Sequence, residues 1–291
     1  MTKALAAFYI ISLSITLIMF VISLVGRKKE LRNRSLTLIA LIHVACVVIW
    51  LGPYAFTAFM LLVASIGAVE LSLCSGAKPL AAVLMAGAAV VLFLLLRLSI
   101  LFLYAMFAPV FVILILLFLP KALRGHTRSN AWIFLLGMVV PCAVALSRVF
   151  DKGSGHVIAI LFLVQFNDAV AYLAGSRIGK NKIAFLSAIS PNKTVEGYLS
   201  GALGILVAAV LLHFAIPVFP VAGMPKRLLL LTACVFVFAN AGDLAFSSMK
   251  RRMGVKDFSR ILSGHGGVLD RFDSILCLAP VYLLLVTGGV L

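Results

Sequence analysis

The sequence predicts an all-α fold, a polytopic membrane helix bundle of about nine or ten transmembrane helices with its polar site facing the cytoplasm. Three observations carry this reading. Hydrophobic residues make up 64% of the 291 residues, charged residues only 12%, and the mean hydropathy is +1.20. A soluble domain keeps roughly a quarter of its residues charged. The apolar residues fall in successive segments about 20 residues long, the length that crosses a hydrocarbon core of about 30 Å. The cations gather in alternate connecting loops, as short cytoplasmic loops do.

Taken in order, the first segment, 5–26, reads as a span and not as a secretory leader. It is long enough to cross, lacks a small-residue cleavage pattern and is followed by many segments of the same kind. The segments 36–52 and 54–73 follow, parted at Gly52-Pro53, then 79–96 and 99–119, parted at Arg97. After these come 131–147, 157–175, 198–219, 227–246 and 275–290. Backbone polar groups must be satisfied inside lipid, so helices are expected throughout. Gly52-Pro53 and Arg97 are the two places where one bent helix could stand for two, hence nine or ten.

Orientation follows from the loops. If 27–34 is cytoplasmic, alternation puts 74–78, 120–130, 176–197 and 247–274 on the same side, and these five loops hold nineteen of the 25 Lys and Arg residues. The net charge of +16 is thereby topological. No exposed basic stripe is formed, which argues against nucleic acid as a partner. The five cysteines, Cys46, Cys74, Cys142, Cys234 and Cys277, are isolated in or beside apolar segments, so they read as small apolar residues and not as disulfides or zinc ligands. No internal repeat or linker divides the chain, and a single integral membrane domain over 1–291 is expected.

The chemistry is concentrated in the second half. Six of the nine acidic residues lie between Asp168 and Asp273, where charge beside hydrocarbon persists mainly for function. Asp270 and Asp273, three apart, share one face if helical. Two adjacent carboxylates invite Mg²⁺, and pairing with Arg271 or another surface cation explains them equally well. Asp243, deep in FANAGDLAF with no cation near it in sequence, tilts this towards a divalent site made by Asp243, Asp270 and Asp273. Asp168 could complete that cluster or orient a lysine. Lys193, Lys250, Arg251, Lys256 and Arg260 are candidate phosphate ligands. The His265-Gly266-Gly267 turn can bring backbone amides to an anion. Ser190-Pro191 with Thr194 and Glu196 reads as a capped helix start, which would be structural for the last two. In the first 150 residues the one intramembrane acid is Glu70, which near a helix end is more often snorkelling or hydrogen-bonded than functional.

The run Ser247–Asp273 resembles the signature of the CDP-diacylglycerol synthase (phosphatidate cytidylyltransferase) family. The matching positions are Ser247, Lys250, Arg251, Lys256, Asp257, His265, Gly266, Gly267, Asp270, Arg271 and Asp273. A second block of that family is similar to GSRIGKNK (175–182) and SPNKTVEG (190–197). Asn167 and the serine in Gly175-Ser176-Arg177 depart from the commoner pattern and mark a divergent member. The resemblance covers about 160–291, so 157–291 is expected to be catalytic and 1–156 to carry little chemistry.

The resemblance implies transfer of the cytidylyl group of CTP to phosphatidate, giving CDP-diacylglycerol and pyrophosphate, with Mg²⁺ required and a second cation left open. Lys193, Asp243, Lys250, Asp270 and Asp273 would be catalytic. Asp168, Ser190, Ser247, Arg251, Lys256, His265, Gly266, Gly267 and Arg271 would bind substrate. The expected partners are CTP, phosphatidate and membrane lipid, with a homodimer allowed for, in the inner or cytoplasmic membrane. The alternatives are the same transfer to another lipid phosphate (an ether lipid or a polyprenyl phosphate) or a transporter built on the intramembrane acids, although the polar residues are not distributed over two matched halves.

Overall fold

The computed structural model describes residues 3–25, 29–98, 127–186, 189–215, 224–262 and 266–291. The span expected at 99–119, the end of the one at 198–219 and His265 lie outside the described residues. Those that are described form α1 (Lys3–Val25), α2 (Lys29–Leu51), α3 (Pro53–Cys74), α4 (Pro79–Leu98), α5 (Thr127–Phe134), α6 (Val140–Asp151), α7 (Ser154–Ile178), α8 (Val195–Ala215), α9 (Met224–Arg252) and α10 (Leu269–Thr287). Among them there is no strand, only isolated antiparallel bridges. Among the described residues, six helices are long and apolar enough to cross a membrane: Pro53–Cys74, Pro79–Leu98, Ser129–Asp151, Ser154–Ile178, Val195–Phe214 and Lys226–Arg252. The chain is an all-α polytopic membrane protein.

Local chemistry explains the breaks. Gly52 alone separates α2 from α3. Its φ of +98° is open to glycine, and Pro53 supplies a pre-set φ at the first helical turn. Between α5 and α6 the helix widens into a π turn, Leu135–Val139, just before Pro141. Proline offers no N–H to the preceding turn and crowds its carbonyl, and the wider turn relieves both. α6 is the centre of the bundle. Apart from Arg148, every residue from Val140 to Phe150 is buried, and it packs against α3, α4, α7 and α10.

α7 and α8 pack most closely. A Cβ on Gly201 would sit 2.7 Å from Asn167 Oδ1, and one on Gly204 would sit 2.9 Å from Val170 Cγ2. Gly197 and Gly201 have the small-xxx-small spacing that lets membrane helices approach where no hydrophobic force pulls them together. The ends of α3, α7 and α9 and the starts of α8 and α10 meet at one end of the bundle, and the polar residues collect there.

Two sequence boundaries are corrected. The region 247–274, read as one loop, is helical at both ends: α9 runs on to Arg252 and α10 begins at Leu269. Ser247, Lys250 and Arg251 therefore stand on a helix. The basic last turn, Lys250-Arg251-Arg252, suits the negative end of the helix dipole.

Candidate active site

The first half of the site is built by the turn between α7 and α8. Asn181–Ile183 pairs briefly with Lys193–Val195, through Ile183 N donating to Lys193 O (3.3 Å) and Val195 N to Asn181 O (2.9 Å). Thr194 caps α8, its Oγ1 accepting from Gly197 N at 3.2 Å. Glu196 turns back to accept from Asn181 Nδ2 at 2.8 Å. Held on both sides, Lys193 extends its ammonium to Asp243 of α9 in an ion pair, with the Tyr198 ring centroid 5.0 Å away. Burial pushes the Lys193 ammonium towards neutrality, but the Asp243 carboxylate and Tyr198 outweigh it and hold its pKa above the usual lysine value. Lys193 is a fixed cation at neutral pH.

The second half joins α9 to α10. Lys250 Nζ donates to Asp270 Oδ1 at 2.7 Å, and the Asp270 side chain is only 2% exposed. Asp270 Oδ2 accepts from Phe258 N (2.9 Å) and Gly267 N (2.8 Å). This carboxylate, read from the sequence as a metal ligand, has both oxygens engaged by protein donors and braces the loop between α9 and α10. The Gly267 amide, read as an anion donor, is likewise spent on Asp270. Gly266, with φ +78°, makes the turn; a Cβ there would lie 2.8 Å from Asp270 Oδ2.

Asp243 and Asp273 become neighbours because α9 and α10 cross closely at Gly242. A Cβ at that position would meet Asp273 O and Cys277 Cβ, each at 2.7 Å. Asp168, Asp243 and Asp273 interact electrostatically, with Lys193 and Arg271 acting on Asp168 and Lys250 acting on Asp273. Asp168 Oδ1 accepts from Asn167 Nδ2 at 2.9 Å. Asp273 Oδ1 accepts from Ser274 N at 2.7 Å. Ser247 Oγ lies 3.4 Å from Asp243 Oδ1. Asp270 and Asp273 do share one helix face, yet they serve different neighbours. Among the described residues no three His, Cys, Asp or Glu side chains gather tightly enough to hold a metal by themselves.

The other expected residues divide by setting. Arg251 is tied into the fold, donating to Ile189 O (3.3 Å) and Val255 O (3.0 Å). Ser190 sits in that same half-buried turn, with its amide bonded to Leu186 O at 2.7 Å. Lys256, Arg260 and Arg271 are exposed, and of these Arg271 acts electrostatically on Asp168. Two residues were not singled out for the site by sequence reasoning. Tyr198 follows Lys193 by five residues, just past the block 190–197, and its proximity depends on the α8 cap. Glu70 lies some 190 residues away in sequence, and no local pattern links it to α10.

Phosphatidate cytidylyltransferase of Staphylococcus haemolyticus is 37% identical over 131 residues, which cover 45% of this chain and 48% of that protein. The proteins of the same name from Staphylococcus epidermidis and Staphylococcus aureus are each 39% identical over 132 residues, with the same shares. The chain thus spans about half the length of the curated relatives it matches. A wider match, over residues 32–287, is to the cytidylyltransferase family. It takes in α3 and α6 as well as the helices that carry the acids and lysines, and on that ground the chain belongs to the cytidylyltransferase family.

Proposed function

We propose that this chain transfers the cytidylyl group of CTP to phosphatidate, forming CDP-diacylglycerol and releasing pyrophosphate. The observation that carries the reading is the meeting of two separate motifs at one end of the bundle. Lys193 from the α7–α8 turn and Lys250 from α9 flank the acids Asp168, Asp243 and Asp273. The name borne by the staphylococcal relatives supports the choice of phosphatidate.

In this reaction an oxygen of the lipid phosphate attacks the α-phosphorus of CTP. The bond from that phosphorus to the bridging oxygen breaks, and pyrophosphate leaves with the electron pair. Nucleophile and leaving group are both anionic, so the chain's task is to neutralise and align them. Lys193 and Lys250 meet phosphate oxygens as point charges. Arg271, with the exposed Lys256 and Arg260, raises the local concentration of anions. No covalent intermediate on the protein is required, and Ser190 and Ser247 act as hydrogen-bonding contacts.

The residues fit Mg²⁺. Asp243 and Asp273, beside Asp168, give a concentration of carboxylate that Lys193 only partly offsets. Mg²⁺ takes one or two carboxylates and completes its shell with water and phosphate oxygens, so a three-carboxylate cage is not needed. Asp243 and Asp273 would hold it, with Asp270 behind them as a brace. When bound, the ion supplies charge neutralisation and polarises phosphate oxygens.

The site is proposed to face the cytoplasm, the source of CTP. A single cysteine replacing Ser259, in the loop between α9 and α10, is then expected to resist an impermeant thiol reagent in intact cells. Strong labelling from outside would reverse the orientation. The function is tested by supplying CTP and Mg²⁺ with a panel of lipid phosphates: turnover on phosphatidate supports it. Turnover confined to another lipid phosphate would keep the chemistry and change the acceptor.

A further inference from the structure

The least expected polar contact joins the N-terminal half to the site. Glu70, in the last turns of α3, is 2% exposed. Its Oε1 accepts from Ser259 Oγ at 2.6 Å and from Val268 N at 2.8 Å, and its Oε2 accepts from Leu269 N at 3.0 Å. α10 has no side-chain cap of its own at Val268. The first amides of a helix lack partners within it, and a carboxylate is well suited to them through the helix dipole and through charge-assisted hydrogen bonding. Glu70 therefore caps α10 from a different helix.

Neighbours on the same face of α3 reinforce the contact. A Cβ on Gly67 would lie 2.7 Å from Leu269 Cδ2, and Cys74 Sγ donates to Phe258 O at 2.7 Å. Residues 67, 70 and 74 recur at helical spacing, so this stripe of α3 grips both ends of the segment 258–269. That segment supplies the two amides held by Asp270, and α10 carries Asp270 and Asp273 within its first five residues. Gly267 is pressed against the same carboxylate, since a Cβ there would lie 2.6 Å from Glu70 Oε1.

We propose that Glu70 is a positioning residue for the phosphate site, fixing the start of α10 and so the placement of Asp270 and Asp273. Its consequence for turnover rests on the cytidylyltransfer reading; its anchoring role does not. Glu70→Gln keeps the size of the side chain but turns one acceptor oxygen into a donor that faces N–H or O–H groups.

In the full-length protein in detergent, Glu70→Gln is expected to speed hydrogen exchange of the Val268 and Leu269 amides by about tenfold or more, since capped amides open less often. Its kcat is expected to fall by about 10- to 100-fold, with KM for CTP within about threefold, because misplacement near 1 Å costs alignment more than binding. The Mg²⁺ concentration for half-activation should rise as well, a change that mere loss of folded protein does not produce. Ser259→Ala, which removes one hydroxyl bond, should stay near wild type. If Glu70→Gln does not fold, Val268→Pro removes one of the donors to Glu70 at a φ of −64° that proline accepts, and it should show the same pattern more weakly, with exchange read at the Leu269 amide. Wild-type exchange rates in the variant that folds overturn the anchor. Faster exchange with wild-type kcat and Mg²⁺ dependence overturns the positioning role. Absence of wild-type turnover removes the cytidylyltransfer reading, while the exchange result still decides the anchor.

Discussion

Lys193→Met is expected to lower CDP-lipid formation from CTP and phosphatidate by at least about 10²- to 10³-fold, the usual loss when one fixed electrostatic donor is removed. Protein yield and helicity should be preserved. Lys193 and Asp243 are 21% and 30% exposed in their side chains, so losing the lysine leaves a carboxylate that water and Mg²⁺ can still reach. Lys250→Met is a less clean experiment. Asp270 is nearly inaccessible, and removing one partner of a buried pair costs about 3–5 kcal/mol, although its two amide donors remain. The Lys250 variant should therefore lose stability together with activity, and Lys193 reports on chemistry alone. A Lys193→Met protein with turnover within a few-fold of wild type would remove that residue from the phosphate site.

The second large effect separates the two carboxylates of α10. Asp273→Asn is expected to abolish most Mg²⁺-dependent turnover, by about 10³-fold or more, with little change in melting, because it removes charge from a proposed metal ligand and preserves its volume. Asp270→Asn should behave differently. It strips the charge facing Lys250 and introduces a donor group among Lys250 Nζ, Phe258 N and Gly267 N. Loss of stability should be its leading effect. Melting curves and Mg²⁺ titrations of both variants check this. Equal melting losses with equal Mg²⁺ response would show that the acids do not divide their roles.

The comparison of Asp270 with Asp273 also marks how far the sequence could be read. Hydropathy located most of the spans, because twenty apolar residues in lipid have few alternatives to a helix. The signature residues led to Lys193, Lys250 and the acids, all now at one end of the bundle. The three-residue spacing could not reveal that Asp270 would be occupied by Lys250 and two amides while Asp273 turns to Asp243. That division depends on the close crossing of α9 and α10 at Gly242 and on the turn at Gly266. The helical extension of α9 to Arg252 was hidden because charged residues ended the apolar pattern before they ended the helix. In the sequence Glu70 was legible only as an intramembrane acid near a helix end, snorkelling or hydrogen-bonded more often than functional. Its partners lie in a loop and a helix start about 190 residues away, and only the packing of α3 against α10 brings them within reach.

The proposed reaction moves the α-phosphorus of CTP to the lipid. Purified wild-type protein with Mg²⁺ and phosphatidate should be given CTP labelled either at the α- or at the γ-phosphorus. α-Label is expected in a CDP-lipid and γ-label in pyrophosphate, released one for one and only when the lipid phosphate is present. Appearance of γ-label in the lipid, or no release of pyrophosphate with phosphatidate or any other lipid phosphate, would contradict it.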